Sequence, residues 1–373
     1  MTGAGKSVYL ACTPYHVMLA CGIATSLDRN AEKYMVVMGD FPGHERLAAI
    51  VFDWGRRPFT GISVIPGKFG LTGKEINRLS RDNQAALRQL YSEKAWQKCD
   101  LFVFQDGNPE SQALLYLNAK KHGRNVYVED GAAAYREYVE PAVSLPKSIY
   151  ARALWGHYFE QVRVPGTSRY VQSSLVFYPE LVRAELRRRE VLGMPKSLLT
   201  GLDMALIDAI AGDYGIRTED LQARSIILAP HSETMPEPRT RYRAVYGRLM
   251  EELVARYGSV AIKYHPRETE GDFLGLGGIS GVKQVPGSLP VEVLYLANVR
   301  NPPALVVDDL STGLMTARII YGEQTTVASM LRFLELPGAF DQLIRAFNRI
   351  GIVTPPTFDE LLATLPGLAG PKT

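Results

Sequence analysis

The sequence predicts an α/β protein made of two successive units, each a parallel sheet covered by helices. Short β-branched and aromatic runs alternate with helical stretches from Val8 to Val128. The alternation stops across residues 135–221, which are rich in charge and helix formers, and restarts at Ile226. The chain has 373 residues, the length of two ordinary domains.

In the first unit, strands are expected at Val8–Ala11, Tyr34–Met38, Ile62–Ile65, Leu101–Phe104 and Val126–Val128, with helices at Tyr15–Leu27 and Glu110–His122. Pro179–Leu192 and Leu202–Tyr214 read as helices of the middle region. The second unit has strand candidates at Ile226–Ala229, Val260–Lys263, Val282–Val285, Leu305–Val307 and Ile319–Tyr321. Its helices are Tyr242–Tyr257 and Val291–Ala297, and the tail from Val327, including Phe340–Ile350, reads as helical. The expected domains are therefore 1–218, 219–330 and a helical tail at 331–373, with a hinge at Gly215–Arg224.

Hydrophobic residues make up 46% and charged residues 22%, so the core can be sizeable without disulfides. Cys12, Cys21 and Cys99 are an odd number without metal-ligand spacing, which predicts buried thiols in a reducing compartment. A net charge of +3 argues against a nucleic-acid partner and suits anionic ligands. The N-terminus lacks the pattern of a secretory signal, and no run of about 18 apolar residues exists. The expected location is cytoplasmic. Gly3-Ala4-Gly5-Lys6-Ser7 imitates the end of a phosphate-binding loop, but it lacks the first glycine and precedes its strand.

Three segments at predicted strand ends carry chemistry, because open α/β sheets bind ligands there. In Glu129-Asp130-Gly131, repulsion between adjacent acids would raise the pKa of one, making a general base, and Gly131 permits a sharp turn. Alternatively, Asp130 caps the next helix and Glu129 faces solvent. In Lys263-Tyr264-His265-Pro266-Arg267, alternation puts Lys263 and His265 on one side, in reach of one phosphate. Pro266 fixes the exit and holds His265 extended. Ser311-Thr312-Gly313 supplies hydroxyls and backbone N–H groups to a phosphate, or is a plain helix cap. Glu292, in the first turn of a helix, either accepts hydrogen bonds from a ribose or complements the helix dipole. Asp308-Asp309 read as strand-end and capping acids rather than a metal site.

Taken together, these segments resemble the bacterial sialyltransferase and polysialyltransferase families of GT-B fold. Those families share an acidic-acidic-Gly motif, a His-Pro motif and a Ser/Thr pair, here Glu129-Asp130-Gly131, His265-Pro266 and Ser311-Thr312. The opening Leu10-Ala11-Cys12-Thr13-Pro14-Tyr15-His16 is similar to their first strand and loop. The resemblance implies two Rossmann-like domains facing across a cleft, with C-terminal helices that cross back to the first. It implies a CMP-activated nonulosonic acid donor, such as CMP-sialic acid, and a glycan or glycolipid acceptor. Asp130 would be the base, with Glu129 competing. His265 would protonate the departing CMP, Ser311 and Thr312 would hold its phosphate, and Lys263 and Glu292 would contact cytidine and ribose, beside Pro266. Transfer would invert the anomeric centre without metal or cofactor.

Weaker candidates are Ser232 on the donor side, in Ala229-Pro230-His231-Ser232-Glu233, and Thr13 and His16 on the acceptor side. Arg183–Glu190 reads as a basic helix, either resting peripherally on an anionic inner-membrane surface or solvated. Acceptor choice is expected in the loops Phe41–Arg46 and Pro66–Lys74. The competing readings are a GT-B transferase using another nonulosonic acid or a UDP-sugar, and a non-catalytic GT-B-like glycan-binding protein. The presence of both Asp130 and His265 argues against the last.

Overall fold

A computed structural model describes residues 5–29, 32–136, 139–234, 239–309, 311–332, 334 and 340–365. Packing divides the chain into two compact units, Met1–Leu202 and Asp203–Thr373. The first unit contains β1 (Lys6–Ala11), α1 (Pro14–Ser26), β2 (Glu32–Gly39), α2 (His44–Asp53), β3 (Gly61–Pro66) and α3 (Gly73–Glu93). It continues with β4 (Asp100–Val103), α4 (Pro109–Lys120), β5 (Arg124–Val128), α5 (Leu145–Trp155), β6 (Ser173–Val176), β7 (Glu190–Gly193) and α6 (Ser197–Thr200).

All seven strands pair in parallel, in the order β3-β2-β1-β4-β5-β6-β7. Strands of such a sheet are covered on both faces, so their runs are apolar throughout. Val8, Tyr9, Leu10, Phe102 and Val103 are accordingly buried, and the Tyr9 and Phe102 rings stack at 4.6 Å. The strand order reverses between β1 and β4. The chain leaves their carboxyl ends there, and a crevice opens at such a switch point.

The second unit contains α7 (Met204–Asp213), β8 (Ser225–Leu228), α8 (Arg239–Tyr257), β9 (Val260–Lys263), β10 (Val282–Val285) and α9 (Val291–Ala297). It ends with β11 (Leu305–Asp308), α10 (Gly313–Tyr321), β12 (Thr326–Ser329), α11 (Asp341–Ile350) and α12 (Phe358–Thr364). Its parallel sheet has the order β10-β9-β8-β11-β12, reversing between β8 and β11. Tyr242, Tyr246 and Leu249 of α8 pack with Ile227, Ile262 and Val307 in its core.

The structure revises several expected elements. The division at Leu202/Asp203 lies ahead of 218/219, because α7 packs on α9 and Thr218 bonds Asp208 at 2.6 Å. The tail packs within the second unit, where Leu361 and Leu365 enter the core. Ile319–Tyr321 is the last turn of α10, a helix buried on every side; a short apolar run does not distinguish that from a strand. The fifth strand is instead Thr326–Ser329. Phe41–Arg46 runs into α2, and Pro66–Lys74 into α3, where the Glu75 side chain reaches back to the Thr72 N–H at 3.4 Å.

Pro179–Leu192 is not one helix but two short 3-10 turns leading to β7. Two of its arginines donate to backbone carbonyls: Arg187 to Val182 and Glu180, Arg189 to Gly166, Thr167 and Ser168. Arg183 is buried and paired with Glu185 at 3.1 Å. In the N-terminal imitation of a phosphate loop, Gly3 and Ala4 lie outside the described residues, and Lys6 already belongs to β1.

Candidate active site

In the first unit, three segments leave neighbouring carboxyl ends of the sheet. Thr13 after β1 caps α1, accepting the His16 N–H at 3.2 Å. The His16 ring is fully buried and stacks on Phe104 at 4.4 Å. Its Nδ1 accepts the Cys12 N–H at 3.2 Å, which leaves the proton on Nε2. That proton points to Asp130 Oδ1, 3.0 Å away. Gln105, following β4, donates to the other oxygen at 3.3 Å.

Asp130 therefore leaves β5 gripped by two donors, while 34% of its side chain remains exposed. Partial burial would raise its pKa, but the pull of His16 and the two hydrogen bonds outweigh it, so the carboxyl titrates below its usual range. Gly131 follows with φ of 56°, a left-handed conformation that glycine adopts without strain, and opens the turn Gly131–Ala134. Asp130 makes no capping hydrogen bond to that turn.

Glu129 points elsewhere. It is fully buried, and its Oε2 accepts the Tyr135 hydroxyl and the Phe177 N–H, the latter at 2.7 Å. Burial pushes its carboxyl up to about 8 despite these bonds, so at neutral pH it is largely protonated. The two acids do diverge, as repulsion was expected to make them, but burial is the larger cause, and the raised acid is the one without solvent access.

Further along the same edge, Lys68 pairs with fully buried Glu110 at 2.7 Å, and the Lys68 N–H binds Asp40 at 2.6 Å. Cys12 lies among these charges, but burial pushes its thiol far up, so it stays protonated.

In the second unit, β8, β9 and β11 bring their ends together around the switch point. His265 and Pro266 are exposed after β9. His265 Nδ1 accepts the Arg267 N–H at 3.1 Å, so Nε2 is the nitrogen that can face a ligand. The His231 ring lies 5.2 Å away. Partial desolvation, then His231, Lys263 and Arg267, pull His265 down to about 4 and keep it neutral at physiological pH.

Lys263 is buried and donates to Gly287 O at 2.7 Å, tying the end of β9 to the loop after β10. Burial pulls its amine down to about 8, opposed by Glu292 and Asp308. Glu292 is buried in the first turn of α9 and pushed up to about 7 by burial, opposed by its own N–H and by Lys263. Each of these two buried groups favours the charged form of the other.

Ser311 Oγ accepts the Gly313 N–H at 3.0 Å, and the exposed Thr312 hydroxyl makes no capping bond to α10. A Cβ on Gly313 would meet Leu228 Cδ1 at 2.8 Å, so a larger residue there would require the Leu228 side chain to shift. Asp308 is buried and raised well above the carboxylate range by burial and then by Asp309. Among the described residues, no three His, Cys, Asp or Glu side chains gather as a metal site. Ser232 is 2% exposed and bonds Glu268 through its N–H at 2.8 Å and its hydroxyl at 3.0 Å.

The structure thus joins His16 and Gln105 to Asp130, and His231 and Arg267 to His265. It separates Glu129 from solvent and commits Ser232 to Glu268. Gln105 was absent from the sequence-derived candidates. The signal was its place one residue beyond an apolar strand, next to another strand-end acid.

The family model for alpha-2,8-polysialyltransferase (POLYST) matches residues 69–329, well over half of the chain. The chain belongs to this family. It is a glycosyltransferase, and its two Rossmann-like units are of the GT-B class. Among solved structures, it is similar to the UDP-GlcNAc 2-epimerase of Methanocaldococcus jannaschii, with a TM-score of 0.57 at 12% identity over 96% of this chain and 91% of that one. A UDP-GlcNAc 2-epimerase from Neisseria meningitidis, bound to UDP-GlcNAc, gives 0.54 at 12% identity, covering 94% and 95%. A UDP-glucosyltransferase from Polygonum tinctorium gives 0.51 at 12% identity, covering 95% and 86%. At this identity the likeness concerns the fold alone. No curated protein matches the chain.

Proposed function

We propose that this polysialyltransferase-family protein transfers sialic acid, or a related nonulosonic acid, from its CMP-activated form to an acceptor hydroxyl, with inversion and without a metal. The observation that carries the reading is Asp130: a partly exposed carboxylate, kept ionised by His16 and Gln105 beside the switch point of its sheet. Asp130 takes the proton of the acceptor hydroxyl as its oxygen bonds to the anomeric carbon. The bond from that carbon to the phosphate oxygen breaks, and CMP departs with the electron pair.

His265 serves the departing phosphate. In the ligand-free protein it is neutral among cations. An arriving anion reverses that balance, raises its pKa and lets Nε2 carry a proton to the phosphate. The hydroxyls of Ser311 and Thr312, at the start of α10, suit the same phosphate. Lys263 and Glu292 act from beneath, shaping the nucleotide pocket through Gly287 and α9. The acceptor is a glycan or glycolipid. The family's description names an α-2,8 polymer, so an oligosialic acid is the first acceptor to try.

The test is incubation with CMP-sialic acid and labelled oligosialic acid, with mass detection of product, alongside thermal unfolding with CMP and with UDP. Stabilisation by CMP and addition of one or more sialic acids are expected. Stabilisation by UDP but not CMP would overturn the donor assignment.

A further inference from the structure

Helix α5 rests against the first unit by one side only. None of its residues is buried, and Leu145, Ile149 and Tyr150 are 73%, 59% and 62% exposed. At about 100° per residue, Leu145, Ile149 and Ala153 line up along the helix, with Pro146 and Tyr150 beside them. The opposite side, with Ser148, Ala151, Leu154 and Trp155, is half-buried. There the Trp155 ring packs on Phe159 at 4.7 Å. The outward stripe is therefore apolar and faces away from that contact. The chain leading into it adds exposed Val139 and Val143, with Glu140 between them.

The charges beside this stripe identify what covers it. Both charges of α5 are exposed: Arg152 lies beside Leu145, with its Nε on Phe159 O at 3.3 Å, and Lys147 lies beyond Tyr150 and Leu154, while residues 141–155 contain no acid. Apolar side chains bordered by cations match the boundary between acyl chains and anionic headgroups. We infer that α5 docks the protein onto an anionic lipid surface, with Leu145, Ile149 and Tyr150 entering the headgroup boundary and Lys147 and Arg152 meeting phosphates. In the basic stretch Arg183–Glu190, by comparison, Arg183, Arg187 and Arg189 all hold internal partners and no apolar stripe accompanies them. No helix among the described residues is long and apolar enough to cross a membrane, so this contact is peripheral. The inference is independent of the donor and acceptor assignments.

The experiment is flotation of the full chain with vesicles of phosphatidylcholine alone and of phosphatidylcholine with an equal part of phosphatidylglycerol. The protein should float with the anionic vesicles only. The double variant Leu145→Ser/Ile149→Ser should lose about tenfold or more in partitioning, and Lys147→Glu/Arg152→Glu should lose the preference for anionic lipid. These positions are exposed, so unchanged circular dichroism and melting are expected in both variants. Three results would overturn the inference: no flotation of the unmodified chain, flotation unaffected by the serine pair, or a dimer dissolved by that pair, which would give the stripe to a second copy.

Discussion

The two sheet edges solve opposite electrostatic problems with the same topology. In the first unit, Asp130 is an acid held by the His16 imidazole and the Gln105 amide, with Glu110 and Asp40 farther along the same edge. In the second, His265 is a base surrounded by Lys263, Arg267 and His231. One edge keeps a carboxylate ionised and ready for a proton. The other keeps an imidazole empty until an anion arrives. An identical strand-end position thus yields opposite chemistry, and the neighbours of each group, not its fold, decide which.

The largest effect expected from breaking this contrast is at the acid. Asp130→Asn keeps the shape and removes the proton acceptor, so transfer should fall about a thousandfold while CMP binding measured by calorimetry is unchanged. A variant that retains near-normal turnover would move the base elsewhere.

Next comes the imidazole. His265→Ala should lower turnover about a hundredfold. In the unmodified protein, CMP binding should draw a proton from solution, because His265 titrates at about 4 when free and higher beside a phosphate. Binding should therefore weaken as the pH rises past the bound value. Calorimetry in two buffers of different ionisation enthalpy reads the uptake, and its persistence in His265→Ala would assign the proton to another group.

His16 is fully buried and bonds Asp130 through Nε2, so we assign it a positioning role. His16→Phe should cost about tenfold in turnover and move the acid limb of kcat/KM to higher pH, because burial is then less opposed. His16→Gln can restore a donor and should recover most of both. A merely structural role would leave the limb in place.

The smallest effect is on stability. The Glu129 carboxyl has its folded pKa raised from 4.5 to about 8, so the folded state holds a proton that the unfolded state releases. That contribution is complete below about 4.5 and is lost as pH rises through about 8. Across this interval the melting temperature of Glu129→Gln should fall less than that of the unmodified chain. Equal slopes would place the titration elsewhere.

Much of this was legible in the sequence, for identifiable reasons. Strands such as Val260–Lys263 announce themselves as apolar runs that stop at a polar residue, and the stopping points located Asp130 and His265. The 21 residues of α3 did not, because the helix is polar and partly solvated and its signal lay in the Thr72–Glu75 cap. Pro179–Leu192 misled because Arg187 bonds carbonyls of its own turns and Arg189 those of Gly166, Thr167 and Ser168, a use of charge that a helical pattern does not announce. The fate of Glu129 depends on Phe177, 48 residues away, and that of Ser232 on Glu268, 36 residues away. Neither pairing leaves a local pattern. The Cys12 N–H that sets the His16 tautomer is likewise a backbone group, invisible in residue identities.

The three cysteines have a practical consequence. Cys12, Cys21 and Cys99 are all buried, and burial pushes each thiol up, the last to about 12, so thiolate is scarce at neutral pH. A single cysteine introduced on a surface, for instance in place of Tyr150, should therefore outcompete them for maleimide dyes in the folded protein. Site-directed fluorescence can then follow the environment of one chosen position without first removing the native thiols.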